Sequence, residues 1–304
     1  MAALLRTIGA AVAALAAIFF GVCFTFDMEA SRGYLPILWR AVLNSCRSCN
    51  RAHVEDYTQY DIPSNLSDKV ILITGASSGI GYQSAKLLSS RGAKVILGIR
   101  GTRQRLDNIT QSIPGQVLAP APLNLSDYSS IRDFVKALPT ADINHLDILI
   151  LNAGKRAMTF TTNSDGVEWM LAAHHLGHAY LFELLTPLAL RAPGEVRVVL
   201  TASVAHMWPY PEGVRYKDTE EGFKSNNAYG TSKLANILYG RELAKRMEKA
   251  HPHKFVVASA NPGAVHTEFS DMVRNFPNWV AYNASVGAMP VLRAAVDANV
   301  TTDG

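Results

Sequence analysis

The sequence is poor in cysteine, in charge and in repetition, and each shortage removes a class of protein. Its 304 residues include three cysteines, Cys23, Cys46 and Cys49, all within the first fifty positions. No disulfide framework can span the remainder, so the main domain must stand on a hydrophobic core. Charged residues are 18% of the chain, and 29 Lys and Arg exceed 25 Asp and Glu by only four. No stretch gathers that excess into a dense basic run, which makes nucleic acid a poor expectation as partner. There is no internal repeat or low-complexity tract, and with 48% hydrophobic residues the composition is globular, neither disordered nor collagen-like. One domain of enzyme size plus a short appendage fits this length.

The appendage lies at the amino end. Thr7 to Phe26 is a run of twenty residues without a charge, enough as a helix rising ~1.5 Å per residue to cross roughly 30 Å of bilayer hydrocarbon. A cleaved signal peptide is the rival reading. Against it, the run exceeds a usual signal core, only Arg6 precedes it, and Cys23-Phe24-Thr25-Phe26 is a poor small-residue cleavage site. Residues 1–30 are therefore expected to form a transmembrane anchor helix. Its orientation rests on a thin charge difference: Arg6 on one side, Arg32 and Arg40 diluted by Asp27 and Glu29 on the other, slightly favouring a cytosolic main domain. Residues 31–66 read as a juxtamembrane segment. Cys46 and Cys49 within it form a CxxC, but zinc takes about four ligands and no second pair exists, so no metal is expected.

Residues 67–304 carry the fold. Val70-Ile71-Leu72-Ile73 suits a buried parallel strand, and it runs into Thr74-Gly75-Ala76-Ser77-Ser78-Gly79-Ile80-Gly81 and a helical stretch to Ser90. This is strand, glycine turn, helix. The glycines clear side chains from a sharp turn where a pyrophosphate must approach, and the helix amino terminus offers free N–H groups to it. Further strands are predicted over 94–99, 117–125, 146–151, 196–201 and 255–260, with a helix over 129–138. Such alternation gives one α/β domain with a doubly wound parallel sheet of Rossmann type. At the end of the second strand stands Arg100, where an acidic residue would bond the free 2′-hydroxyl of NAD and a guanidinium instead pairs with the 2′-phosphate of NADP. NADP(H) is the expected cofactor; the rival is that Arg100 is a solvated strand-end charge.

Chemistry is expected where Ser203 follows the fifth strand and Tyr229-Gly-Thr-Ser-Lys233 opens a helix. Positions four apart share a helix face, so Tyr229 and Lys233 can point into one cleft. A nearby ammonium favours phenolate and should lower the tyrosine's ordinary pKa of ~10 toward the working range. Ser203 can donate to a carbonyl oxygen. Such a pair is more often a surface neighbourhood than a catalyst, and its place beyond the strand ends of a dinucleotide fold reverses that weighting.

With these pieces on the page, together with Asn152-Ala153-Gly154 and Pro262-Gly263 with Thr267, the stretch Leu66–Gly304 resembles the short-chain dehydrogenase/reductase family. The long Ser203–Tyr229 interval, His175-Leu-Gly-His178 and Ser232-Lys-Leu-Ala-Asn236 resemble its retinol-dehydrogenase-like branch, which acts on lipophilic carbonyls and alcohols, commonly at membranes. The resemblance implies that Tyr229 is the acid, that Lys233 holds the nicotinamide ribose, and that Ser203 orients the substrate. It also implies that Gly75, Ser77, Ser78, Gly79, Ile80, Gly81, Asn124, Leu125, Asn152, Ala153, Gly154, Pro262, Gly263 and Thr267 line the cofactor. An endoplasmic reticulum membrane and a small lipophilic carbonyl or alcohol substrate follow as expectations.

Three departures accompany the resemblance. Asn124 replaces the usual Asp against the adenine, with an amide oxygen still able to accept. His174 stands where the family has the Asn of its proton relay, and its titration near ~6.5 would make a relay pH-dependent. The sequence stops at Gly304 where relatives continue into a seventh strand, so the expectation is either a fragment or a sheet that lacks its last strand. His174 and His178 are also spaced like a zinc pair, but no third ligand is evident. Met207, Trp208, Tyr210, Tyr216, Phe223, Phe269, Phe276, Trp279 and Tyr282 are candidates for an apolar substrate wall. Retinoid, steroid, fatty aldehyde and other hydrophobic ketone all remain open. The competing reading is a catalytically silent dinucleotide-binding sensor or scaffold.

Overall fold

The computed structural model describes residues 57–267 and 281–302. The expected anchor, residues 1–30, and most of the juxtamembrane segment lie outside those residues. Among the described residues no helix is long and apolar enough to cross a membrane.

Strands and helices alternate as expected: β1 (Val70–Thr74), α1 (Gly79–Ser90), β2 (Lys94–Gly98), α2 (Arg103–Gln111), β3 (Val117–Leu118), α3 (Tyr128–Thr140) and β4 (Ile148–Leu151). Then come α4 (Gly177–Ala189), β5 (Val196–Thr201), α5 (Ser225–Ala250), β6 (Phe255–Ala260), α6 (Ala284–Gly287) and α7 (Met289–Val296). The described sheet has six parallel strands in the order β3-β2-β1-β4-β5-β6. Chain order reverses between β1 and β4, where Ile71 pairs with Ile148. At such a reversal the helices leave on opposite faces and a crevice opens beyond the strand carboxyl ends. The site is built there.

Two cores explain why the strands read as unbroken apolar runs. Ile71, Ile73, Val95, Leu97 and Ile150 face one way against Leu88 of α1 and Val291 and Leu292 of α7. Leu72, Ile96, Leu149 and Val198 face the other way against Ile131 and Phe134 of α3 and Leu181, Phe182 and Leu185 of α4. A strand buried on both faces has no polar side to alternate with.

Beyond shifts of one or two residues, two boundaries differ from the expectation. The third strand, expected over 117–125, stops after Leu118, because Pro120 and Pro122 supply no N–H to a ladder. Contact with the second strand's extension resumes where the Leu123 N–H donates to the Ile99 carbonyl at 2.8 Å. The helix expected to open at Tyr229 begins at Ser225, a turn earlier, which puts Tyr229 inside the helix.

The helix carrying the three histidines is also not uniform. A short turn at Trp169–Leu171 passes into a π-helical turn at Ala172–Leu176 and then into α4. A Cβ on Gly177 would come within 2.1 Å of the Leu125 carbonyl oxygen. Only glycine lets α4 approach that loop so closely.

Candidate active site

The glycine turn is a cradle made by leaving side chains out. Gly75 and Gly79 have φ of 70° and 56°, in the left-handed region that glycine enters without strain. A Cβ on Gly75 would stand 2.7 Å from the Ala153 Cα, and one on Gly81 would stand 2.5 Å from the Gly75 oxygen. At the start of α1, Ser78 makes no side-chain cap and the first turn holds no acidic residue. The leading N–H groups therefore carry an uncompensated positive end, which fits the pyrophosphate of a dinucleotide. Thr267 lies against the turn, its Cγ2 2.9 Å from where a Gly79 Cβ would be, which brings the Pro262–Thr267 stretch to this end. Gly263 turns there with φ of 76°.

Behind the cradle, buried polar groups tie β1, β4, α4 and α5 together. The Thr74 hydroxyl oxygen accepts from the N–H groups of Asn152 and Ala153, each at 2.9 Å, and the Asn152 side-chain amide donates to the Thr74 carbonyl at 2.9 Å. The Thr74 hydroxyl lies 2.8 Å from His178 Nε2, while His178 Nδ1 lies 2.8 Å from the His174 carbonyl oxygen. A carbonyl only accepts, so Nδ1 carries the proton, and Nε2 accepts from the Thr74 hydroxyl. The same reasoning fixes His174. Its Nε2 accepts from the Lys155 N–H at 3.1 Å, and its Nδ1 donates at 3.0 Å to Ser232 Oγ, which itself donates to the Tyr229 carbonyl at 2.7 Å.

Both imidazoles are neutral here. Burial pushes His178 down to about 3 and His174 well below its ordinary value, with the Lys233 charge adding to burial in each case. The expectation that His174 titrates near neutrality is thus corrected: it is a buried, uncharged ring with both nitrogens committed. Neither it nor His178 has a nitrogen left for zinc.

Ser203, just beyond β5, hydrogen-bonds through its hydroxyl to the phenol of Tyr229 on α5, and the Lys233 ammonium stands 5.7 Å from the Tyr229 ring centroid. Lys233 is buried and donates to the Thr201 carbonyl at 2.9 Å. Burial lowers it to about 8. Burial also raises Tyr229 to about 12, against the pull of Ser203 and of the Arg156 charge. The expected depression by Lys233 is therefore not what the structure shows: desolvation of the phenolate outweighs the charges around it. Arg156 was missed in the sequence, because nothing in Lys155-Arg156 shows that the chain after β4 folds back on α5.

The remaining predicted residues divide. Arg100 is exposed beyond β2, its guanidinium carbon 5.9 Å from the Trp169 ring centroid. Asn124 Oδ1 already accepts from the N–H and hydroxyl of Ser126, at 3.3 and 3.0 Å, so the adenine contact expected of that oxygen competes with its own turn. Leu125 is buried under α4. Among the aromatics, Tyr210 is buried with Met170 and Ala228, against which Phe223, Trp169 and Tyr229 pack. Tyr216 is exposed, whereas Tyr282 is buried and its N–H donates to the Ala264 carbonyl at 2.8 Å. Phe269, Phe276 and Trp279 lie outside the described residues.

Comparison with known proteins agrees with this geometry. Residues 69–278 match the family model described as short chain dehydrogenase. The chain belongs to that family, which binds nicotinamide dinucleotides and is a family of oxidoreductases. It is 30% identical over 276 residues to Short-chain dehydrogenase TIC 32 B, chloroplastic, of Brassica napus, covering 81% of this chain and 86% of that protein. It is 39% identical over 211 residues to retinol dehydrogenase 12 of Homo sapiens, covering 67% of this chain and 63% of that one. A solved structure of an uncharacterised protein from Mycobacterium paratuberculosis superposes with a TM-score of 0.64 at 30% identity, over 81% of this chain and 82% of that one. The resemblance to the family and its retinol-dehydrogenase-like branch, read first from motifs, holds.

Proposed function

We propose that this protein is an NADP(H)-dependent oxidoreductase that transfers hydride to the carbonyl of a lipophilic aldehyde or ketone, or runs the reverse alcohol oxidation. The observation that carries the reading is the Ser203 hydroxyl bonded to the Tyr229 phenol, with the Lys233 ammonium beside the same ring, beyond the carboxyl end of β5 in the sheet whose β1 carries the glycine cradle. The cofactor, when bound, supplies or accepts the hydride.

The chain's residues do the rest. Gly75, Gly79 and Gly81 with the first turn of α1 hold the pyrophosphate, and Arg100 holds the 2′-phosphate. Ser203 orients the substrate oxygen. Tyr229, kept protonated through neutral pH by its burial, gives its phenolic proton to that oxygen, and Lys233 steadies the phenolate left behind. A phenol raised to about 12 stays protonated near pH 7 and so holds the proton that carbonyl reduction consumes. The apolar packing of Trp169, Phe223 and Tyr210 around Tyr229 suits a hydrophobic substrate.

A membrane location belongs to the same reading. It rests on the uncharged run Thr7–Phe26, with an endoplasmic reticulum anchor and a cytosolic domain as its form. Resistance to carbonate extraction, lost on removal of residues 1–30, tests it.

The deciding experiment is a panel of long-chain aldehydes, ketones and retinoids with the full chain, run with NADPH and with NADH. Turnover that prefers NADPH and loses most of that preference in Arg100→Asp supports the reading. The second reading, a silent dinucleotide-binding protein, is favoured by one observation: both His174 nitrogens are locked in structural bonds. NADPH binding with no turnover across the panel would select it.

A further inference from the structure

Arg156 is a half-buried cation with no carboxylate paired to it among the described residues. It follows the Asn152–Gly154 turn and reaches across to the first turn of α5. Its Nε donates to Ser225 Oγ at 3.2 Å, and one Nη donates to Asn226 Oδ1. Ser225 in turn donates to the Ala157 carbonyl at 2.6 Å. That first turn of α5 contains no acidic residue. A guanidinium has five N–H donors, so after two neutral contacts it retains a fork of the kind that binds a carboxylate through two parallel bonds. Exposed Lys155 beside it adds charge of the same sign.

Position gives this cation its meaning. Asn226 and Ser225 precede Tyr229 by three and four residues on one helix, which is one turn, ~5.4 Å along the axis. The Arg156 charge acts on the Tyr229 phenol. Ala157, Trp169 and Phe223 pack on the same small apolar cluster as Tyr229.

We propose that Arg156 is a specificity-determining residue that receives the carboxylate of an apolar keto acid whose carbonyl sits at Tyr229. Carbonyl and carboxylate are then separated by only a few bonds, and the hydrocarbon tail lies on the Trp169 and Phe223 side. This deepens the reductase reading and rests on it. A purely structural Arg156, stapling the β4 loop to α5, is the alternative that the test must separate.

The test uses the full chain, NADPH, a long-chain γ-keto acid and its methyl ester. The parent is expected to favour the acid over the ester in kcat/KM by roughly ten- to hundredfold, the size of a charge-assisted contact. Arg156→Met should raise KM for the acid by that factor and leave the ester within about threefold; Arg156→Lys should restore part of the preference. Calorimetric binding of the matching γ-hydroxy acid and its ester, in parent and variant, provides a readout that needs no turnover. Equal use of acid and ester by the parent overturns the inference while leaving the reductase reading intact, and so does an equal loss on both in Arg156→Met. Tighter binding of the acid, lost in Arg156→Met, without turnover of either compound, retains the anion site and defeats the reductase reading.

Discussion

The two ends of the cleft are made by opposite means. At the end proposed for the cofactor, Gly75, Gly79 and Gly81 make room by having no side chain, and backbone N–H groups are what remains to bind it. At the chemical end, room is filled: Thr74, His178, His174, Ser232 and Lys233 are all buried polar side chains, nearly every polar atom of which meets a partner inside the protein. The first end is intolerant of added atoms. The second is intolerant of lost partners, since a buried polar group stripped of its hydrogen bond costs about 1–3 kcal/mol. Substitutions that separate geometry from polarity should therefore act differently at the two ends.

The largest effect expected is at Tyr229. Tyr229→Phe removes one hydroxyl and no packing, so turnover should fall by at least about a thousandfold, roughly 4 kcal/mol of transition-state stabilisation. NADPH affinity should stay within a few-fold and the melting temperature nearly unchanged. Steady-state kinetics with fluorescence titration of the cofactor checks it, and comparable rates would remove Tyr229 from the acid role. Next comes Gly81→Ala at the opposite end. Its Cβ would stand 2.5 Å from the Gly75 carbonyl oxygen and 2.7 Å from the Asn152 amide nitrogen. Backbone cannot yield as a side chain does, so about 1–3 kcal/mol of stability should be lost, and dinucleotide binding with it. A variant that melts like the parent and still binds NADPH would mean that the cradle is looser than its contacts indicate.

The same contrast explains what could be read in advance. The cradle was legible because its signal is local: strand, Gly75 to Gly81, helix, within a dozen residues. Tyr229 and Lys233 were legible because helix periodicity fixes their relation. What escaped was non-local. Arg156 reaches residues 69 and 70 positions away, and His178 meets Thr74 across 104 positions. The pKa directions were misjudged for a related reason: sequence shows which charges are near in the chain, whereas desolvation depends on how completely the fold closes over a group. Tyr229 was expected to move down and moves up. The third strand was overdrawn because hydrophobicity continued through Pro120 and Pro122 although the ladder could not.

A smaller effect, confined to the filled end, is acid sensitivity. His174 and His178 are held neutral in the folded protein but accept protons near ~6.5 once unfolded. Below that pH the unfolded state binds more protons than the native one, so stability falls as pH falls and is restored as pH rises. For His178 the window runs from about 6.5 down to about 3. Each neutral histidine contributes a slope of roughly 1.4 kcal/mol per pH unit within its window. Urea melts from pH 7 to pH 5 should show this slope, and His178→Gln should reduce it. A flat dependence would show that the network is hydrated rather than closed.

The smallest effect sharpens the comparison most, because it asks whether the filled end moves protons or only holds atoms in place. His174→Asn retains a group able to accept the Lys155 N–H or to donate to Ser232, but the shorter side chain cannot span both. One hydrogen bond should be lost, about 1 kcal/mol, and the T-shaped packing on Trp169 and Tyr229, with centroids 5.8 and 6.0 Å away, should loosen. Turnover should change by less than about threefold. The pH–rate profile carries the discrimination: burial and the Lys233 charge hold His174 far below its ordinary pKa, so neither parent nor variant should show an ionisation near ~6.5 belonging to this residue. If the parent profile does bend there and the bend disappears in His174→Asn, the ring titrates during turnover. The buried network would then be a proton path as well as a scaffold, and the division between an end that binds and an end that is merely held would have to be redrawn.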